Sequence, residues 1–114
     1  MINRTIPASL PAEVECSLAE CGGIEGLIQR LPSDHALKAR SLVFHAVGDP
    51  TRLKILALLK DQSLCVCVIR EILQIADSKL SYHLNILKKA GLIEGGKQGN
   101  WIIYSITERG RVFL

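Results

Sequence analysis

The sequence predicts a mainly α-helical fold that closes with a small β-hairpin. Three observations carry this. Apolar residues recur at helical spacing in two adjacent short pieces, Val68, Ile69, Ile72 and Leu73, then Leu80, Leu84 and Leu87. A tight turn over residues 74–77 separates them. Beyond Gly91 a glycine-rich stretch leads into a β-branched and aromatic run, Trp101-Ile102-Ile103-Tyr104-Ser105-Ile106, which reads as a strand. Two helices, a tight turn and a following hairpin make a winged helix-turn-helix, whose second helix suits a DNA major groove.

Length and composition bound the rest. The chain has 114 residues, enough for one compact domain. At 48% hydrophobic residues it can bury a core. Small domains bury a limited fraction of their surface, so a homodimer is the expected state. The net charge is +3, far from a histone-like polycation, and its distribution says more than its size. Glu13, Glu15, Glu20, Glu25 and Asp34 oppose a single Arg30 in residues 13–34. Lys79, Lys88, Lys89 and Lys97 outweigh Asp77 and Glu94 in residues 77–101. The basic part is expected to face nucleic acid and the acidic part to face away. No apolar run is long enough to span a bilayer, and the first ten residues lack the apolar core of a secretory signal. A cytoplasmic protein with reduced thiols is expected, so its four cysteines mean metal binding, redox sensing or burial. No nucleophile–base pair, phosphate loop or paired carboxylate set stands out, which argues against an enzyme.

In chain order, residues 1–11 read as an extended lead-in with Pro7 and Pro11. Residues 13–21 form a short helix ended by Gly22-Gly23, and residues 24–31 a second, closed by Pro32. Residues 1–34 are thus an N-terminal extension carrying Cys16 and Cys21, and residues 35–114 the DNA-binding domain. Ser33 or Asp34 caps a helix over residues 35–47, with Leu37, Leu42, Val43 and Ala46 near one stripe. Asp49-Pro50 opens the next, an N-cap acid followed by proline at the first helical position. That helix, residues 50–60, holds Leu53, Ile55, Leu56, Leu58 and Leu59 and is expected to be the central buried one. Asp61-Gln62-Ser63 turns out of it. In the helix-turn-helix, Asp77 is the expected N-cap of the second helix, and Gly91 supplies the left-handed residue at its end. Val66 and Val68 read as core. Gly99-Asn100 makes the hairpin tip, and about two turns of helix follow from Glu108.

The polar residues of the second helix avoid its leucine stripe. Ser78, Lys79, Ser81 and Tyr82 lie near its N-terminus, where side chains reach base edges and phosphates, with His83 and Asn85 further along. Lys88 and Lys89 complement the helix dipole. Lys97 and Gln98 on the wing tip are candidates for phosphate or minor-groove contact. A dimer carrying two such helices calls for an inverted-repeat operator.

Two thiols, Cys65 and Cys67, stand at the head of this DNA-reading unit. On a regular helix they are about 200° apart and cannot address one ion. They converge only if the helix starts between them or its first turn is distorted. Cys16 and Cys21 are about 140° apart on a continuous helix, with Gly22-Gly23 available to loosen the segment. Thiolates select soft ions such as Cd(II) and Pb(II) and also bind Zn(II).

The stretches GDPTRLKILALL (residues 48–59), CVC (65–67), SKLSYHLNILKKAGLI (78–93) and KQGNWIIYSIT (97–107) resemble the ArsR/SmtB family of homodimeric winged-helix repressors that sense metals and metalloids. The likeness covers about residues 36–107. It implies an apo-dimer that binds operator DNA and a metal-loaded dimer that lets go. The CVC segment is similar to the arsenic-sensing ArsR and cadmium/lead-sensing CadC branches. The arsenic branch often has a third cysteine where this chain has Arg70, and the zinc branch's Asp-x-His and His-x-x-Glu sets are missing here. The CadC branch adds N-terminal cysteines that reach across to the other subunit. Cys16 and Cys21 are the residues placed for that role, although their spacing is not a fixed match. The expected effector site is therefore Cys65 and Cys67, completed by Cys16, Cys21 or both from the partner, with Cd(II), Pb(II), Zn(II) or As(III) as the ion. Two other readings stay open. One is a thiol redox or persulfide sensor on the same fold. The other is a metal-binding module with no DNA role.

Overall fold

The computed structural model describes residues 10–114, so most of the lead-in expected over residues 1–11 lies outside the described part. The chain divides into two compact units, the first ending at Ala36 and the second spanning Leu37–Leu114.

In the first unit, helix α1 covers Ala12–Glu20 and α2 covers Gly23–Arg30. Gly22 and Gly23, at φ of +85° and +74°, break the chain between them in a region that side chains avoid. Gly26 then passes so close to the Cys21 carbonyl that a Cβ there would collide with it. Neither helix buries a residue fully, and Leu27 and Leu31 remain exposed.

Helix α3 runs Asp34–Val47. Its cap is Ser33, whose Oγ accepts the Ala36 amide at 3.1 Å. Helix α4 runs Pro50–Leu59, and the Asp49 carboxylate accepts the Arg52 amide at 3.1 Å, as an acid before Pro50 predicts. Its buried stripe is Arg52, Ile55, Leu56 and Leu59, the i, i+3, i+4, i+7 pattern of one helix face. Leu53 is exposed, so α4 is buried on one side only, less completely than its composition suggests.

Strand β1 (Leu64–Cys65) leads into α5 (Val66–Leu73). Gln74, at φ +54°, ends α5 in the left-handed region and turns the chain into α6 (Asp77–Lys89). Asp77 does not cap α6. Ala76 holds the N-cap position without a side-chain bond, and Asp77 is drawn instead to the Arg70 guanidinium. Val68 is exposed rather than core, while Val66 is half-buried against the core. Gly91, at φ +76°, closes α6, and Leu92 N–H donates to the Leu87 carbonyl at 3.0 Å across it.

The wing is β2 (Ile93–Gln98) and β3 (Trp101–Ile106), antiparallel from Ile93 opposite Ile106 to Gln98 opposite Trp101. β1 adds to the other edge of β3, with Leu64 opposite Tyr104 and Cys65 opposite Ile103, giving the order β1-β3-β2. A single turn, α7 (Glu108–Arg111), follows, shorter than expected. The core gathers Ile55, Leu56 and Leu59 of α4, Ile69 of α5, Leu80, Leu84 and Leu87 of α6, and Leu92 and Ile93 entering the wing. Each such leucine or isoleucine contributes about 2 kcal/mol by leaving water. The core therefore clamps the helix-turn-helix to α4 on one side and to the sheet on the other.

Candidate metal centre and nucleic-acid interface

Cys65 is the last residue of β1 and also the N-cap of α5, extended at φ −67°, ψ 145°. Cys67 lies in the first turn. The helix thus starts between the two, which lifts the rotation that would separate them on a continuous helix. Their Sγ atoms come to 2.6 Å, and the Cys67 amide reaches Cys65 Sγ at 3.4 Å. Two negative sulfurs do not share so small a space, and the hydrogen bond between them sorts the pair. The Cys67 thiol donating to it pulls the Cys65 thiol below its ordinary value. The same bond pushes Cys67 up. The result is an unequal pair of half-buried thiols at a helix N-terminus, with Cys65 the readier of the two to lose its proton. The helix boundary thus brings together two soft donors of the kind that cadmium, lead, zinc and arsenic take.

Cys16 is exposed on α1, and Cys21 is the half-buried C-cap residue of α1. The Cys21 thiol donates to the Ser17 carbonyl at 3.1 Å. Both belong to the first unit, whereas Cys65 and Cys67 belong to the second. Among the described residues no three His, Cys, Asp or Glu side chains are gathered where an ion could be held.

On α6 the predicted surface is present. Ser78, Lys79, Ser81, Tyr82 and Asn85 are exposed, opposite the buried Leu80, Leu84 and Leu87. Lys97 and Gln98 are exposed at the end of β2, next to the Gly99-Asn100 tip. His83 is the exception. It was expected on the groove side, but it is only 5% exposed and turns inward, where Nδ1 meets the Arg52 guanidinium at 2.9 Å. From there the ring is not presented on the exposed face of α6. The reason lies in the helical repeat: position 83 falls three residues after Leu80 and four before Leu87, on the buried face. The His83 ring also meets Tyr82 edge-on, with ring centroids 5.4 Å apart.

Two residues, one beneath this surface and one on the wing, escape a reading of the sequence by motif. Arg52 hides in an apolar helix, and its only signal is that it shares the stripe of Ile55, Leu56 and Leu59. Trp101 stands 59% exposed at the start of β3, opposite Gln98, with its place at the hairpin tip as the signal.

Comparison with known proteins follows the same stretch of chain. Residues 49–94 match the family described as bacterial regulatory protein, arsR family. An HTH-type transcriptional regulator of Methanocaldococcus jannaschii is 49% identical over 67 residues, covering 58% of this chain and 75% of that protein. The arsenical resistance operon repressor of Bacillus subtilis is 41% identical over 66 residues, 57% of this chain and 63% of its own length. The cadmium resistance regulatory protein CadC of Listeria innocua is 41% identical over 64 residues, 55% of this chain and 54% of its own. Among solved structures, a homodimeric winged helix-turn-helix DNA-binding domain from Mycobacterium bovis superposes with a TM-score of 0.65 at 27% identity, over 74% of this chain and 82% of that one. Among the described residues, no helix is long and apolar enough to cross a membrane.

Proposed function

We infer, from the premise that this chain belongs to the arsR family of bacterial regulatory proteins, that this transcriptional regulator is a repressor governed by a soft metal or metalloid ion. As an apo-homodimer it binds an inverted-repeat operator, with Ser78, Lys79, Ser81, Tyr82 and Asn85 of α6 at the major groove and Lys97 and Gln98 of the wing on the flanking backbone. Cys65 and Cys67 form the obligatory part of the effector site. Cys16, Cys21 or both from the second subunit complete it. The first 34 residues then serve as the arm that brings those thiols across.

The observation that carries this reading is the convergence of the Cys65 and Cys67 sulfurs at the first residues of α5. α5 is the first helix of the DNA-reading pair, so a change in how Cys65 and Cys67 are held acts on the seat of α6. Regulation follows if the two thiols are held differently in the DNA-binding and DNA-free forms of the dimer. The arsenical and cadmium resistance relatives point to the same class of effector. Two thiolates on α5, without a third at Arg70, favour a divalent ion held by four thiolates, while As(III) on three is the other candidate.

The test is fluorescence anisotropy on a duplex enriched by the wild-type chain from a random-sequence pool. It is run anaerobically with a non-thiol reductant in excess and titrated with Cd(II) and As(III). Release near one ion per site supports the reading, and the better ion selects the branch. DNA binding that ignores both ions, or that Cys65→Ser leaves fully responsive, overturns it. The two thiols also support a second reading, in which one of them and an N-terminal thiol form a disulfide, their two electrons and two protons reducing a peroxide to water. Release by peroxide, absent under reductant, would select that one.

A further inference from the structure

The strongest unassigned group is the buried charge cluster under the recognition helix. Arg52 is 5% exposed, and its guanidinium makes three contacts. Nε donates to the Ala46 carbonyl at 2.8 Å and Nη2 to the His45 carbonyl at 3.0 Å, both at the C-terminal end of α3. Nη1 reaches His83 Nδ1 on α6 at 2.9 Å. One side chain on α4 therefore ties the end of α3 to the inner face of α6. An arginine always donates, so His83 Nδ1 must accept, and the proton of the neutral ring sits on Nε2. That Nε2 is buried and has no partner among the described residues. The Asp49 carboxylate stands 4.0 Å from the same Nδ1.

We propose that Arg52 is a positioning residue for DNA recognition, and that the Arg52–His83 contact is a latch which protonation of His83 opens, weakening DNA binding in acid. The inference rests on the DNA-binding reading above. A protonated imidazole can no longer accept at Nδ1. It would present N–H to a guanidinium, and its attractive neighbour becomes Asp49, the cap of α4. The ring must shift to exchange one for the other, and α6 carries the ring.

The charges facing His83 are Asp49 in the turn before α4, Arg52 on α4 and Lys79 on α6 itself, with the Tyr82 ring at its edge. Burial holds the imidazole below its ordinary value of 6.5, Arg52 and Lys79 act the same way, and Asp49 opposes them. The sign follows. A histidine with a depressed folded value stabilises the closed form above the ordinary value, and that contribution is lost as pH falls through the depressed one.

The experiment uses the enriched duplex and the full chain at pH 7.5 and 5.5, with metal absent and reductant present. His83→Gln retains an acceptor for Arg52 and cannot titrate there. The wild type should lose more affinity than His83→Gln between the two pH values, up to the roughly 10-fold that one proton links over the unit of pH below the ordinary value. His83→Leu leaves the Arg52 Nη1 donor unpaired and should bind weakly at both. Arg52→Lys, which keeps the charge but cannot span three acceptors, should fall between wild type and Arg52→Met. Side-chain NMR of His83 in the free protein reads the latch without DNA: an ordinary, freely titrating imidazole overturns the inference. So does a His83→Gln profile that parallels the wild type. Failure to enrich any duplex overturns the DNA-binding reading and this inference with it, whereas a pH-independent wild type removes the latch alone.

Discussion

Arg70 on α5 and Asp77 at the start of α6 are joined at 3.0 Å across the turn of the helix-turn-helix. The pair occupies two positions that the sequence invites one to read separately, a missing third cysteine and a helix cap. Both side chains are largely exposed, so water screens the attraction. Asp77→Asn is expected to leave the urea midpoint essentially unchanged. A large fall would show that the pair, rather than the core, sets the angle between the helices.

The sorted protons of the thiol pair predict unequal reactivity. With the Cys65 thiol drawn down and Cys67 pushed up by their shared bond, Cys65 carries the greater thiolate fraction at neutral pH. Brief iodoacetamide treatment followed by peptide mass spectrometry should find Cys65 alkylated first. Cys67→Ala removes the donor and should slow the labelling of Cys65, and equal labelling of both in the wild type would contradict the geometry.

The chain has one tryptophan, and it stands at the wing tip. Binding of the enriched duplex should therefore move the emission to shorter wavelength as water leaves Trp101. A Lys97→Ala variant should show the same shift at higher protein concentration. Its log–log salt slope should fall by about one if Lys97 contacts phosphate. An unchanged spectrum at saturating duplex would mean that the wing stays clear of DNA.

Leu56 is fully buried on α4, in the core that it shares with residues of α5 and α6. Leu56→Ala should cost about 2–5 kcal/mol in urea denaturation, the range for removing a packed leucine side chain and leaving a cavity. Leu53→Ala, on the exposed side of the same helix, should cost far less. Equal losses would mean that a second subunit covers Leu53 in solution.

The contrast between those two leucines shows how far the sequence could be read. The Asp49-Pro50 cap, the Gly91 stop and the switch to strand residues at Trp101 are local chemistry, and each element begins or ends within a residue or two of where that chemistry places it. Which side of α4 is buried depends on partners far along the chain, in α5, α6 and β3, and composition alone made Leu53 look internal. β1 has two residues, too few for any period. It exists because β3 offers an edge. The cysteine pair was legible in kind, and its convergence required the helix to begin at Val66, a boundary finer than periodicity resolves. His83 is different, because its place on the Leu80, Leu84, Leu87 stripe was visible. Its polarity suggested the groove, while the helical repeat put it inside, and the buried Arg52 explains why the repeat prevails.

Cys65 closes a strand and opens a helix with the same residue. β1 is held to β3 of the wing, and α5 is held by the core beneath α6, so the backbone at Cys65 is a fulcrum shared by both arms that would grip DNA. A push there does not choose between the wing and the helix pair. Under the proposed metal-governed release, it would turn them together, so that a small displacement at one thiol would loosen two grips at once.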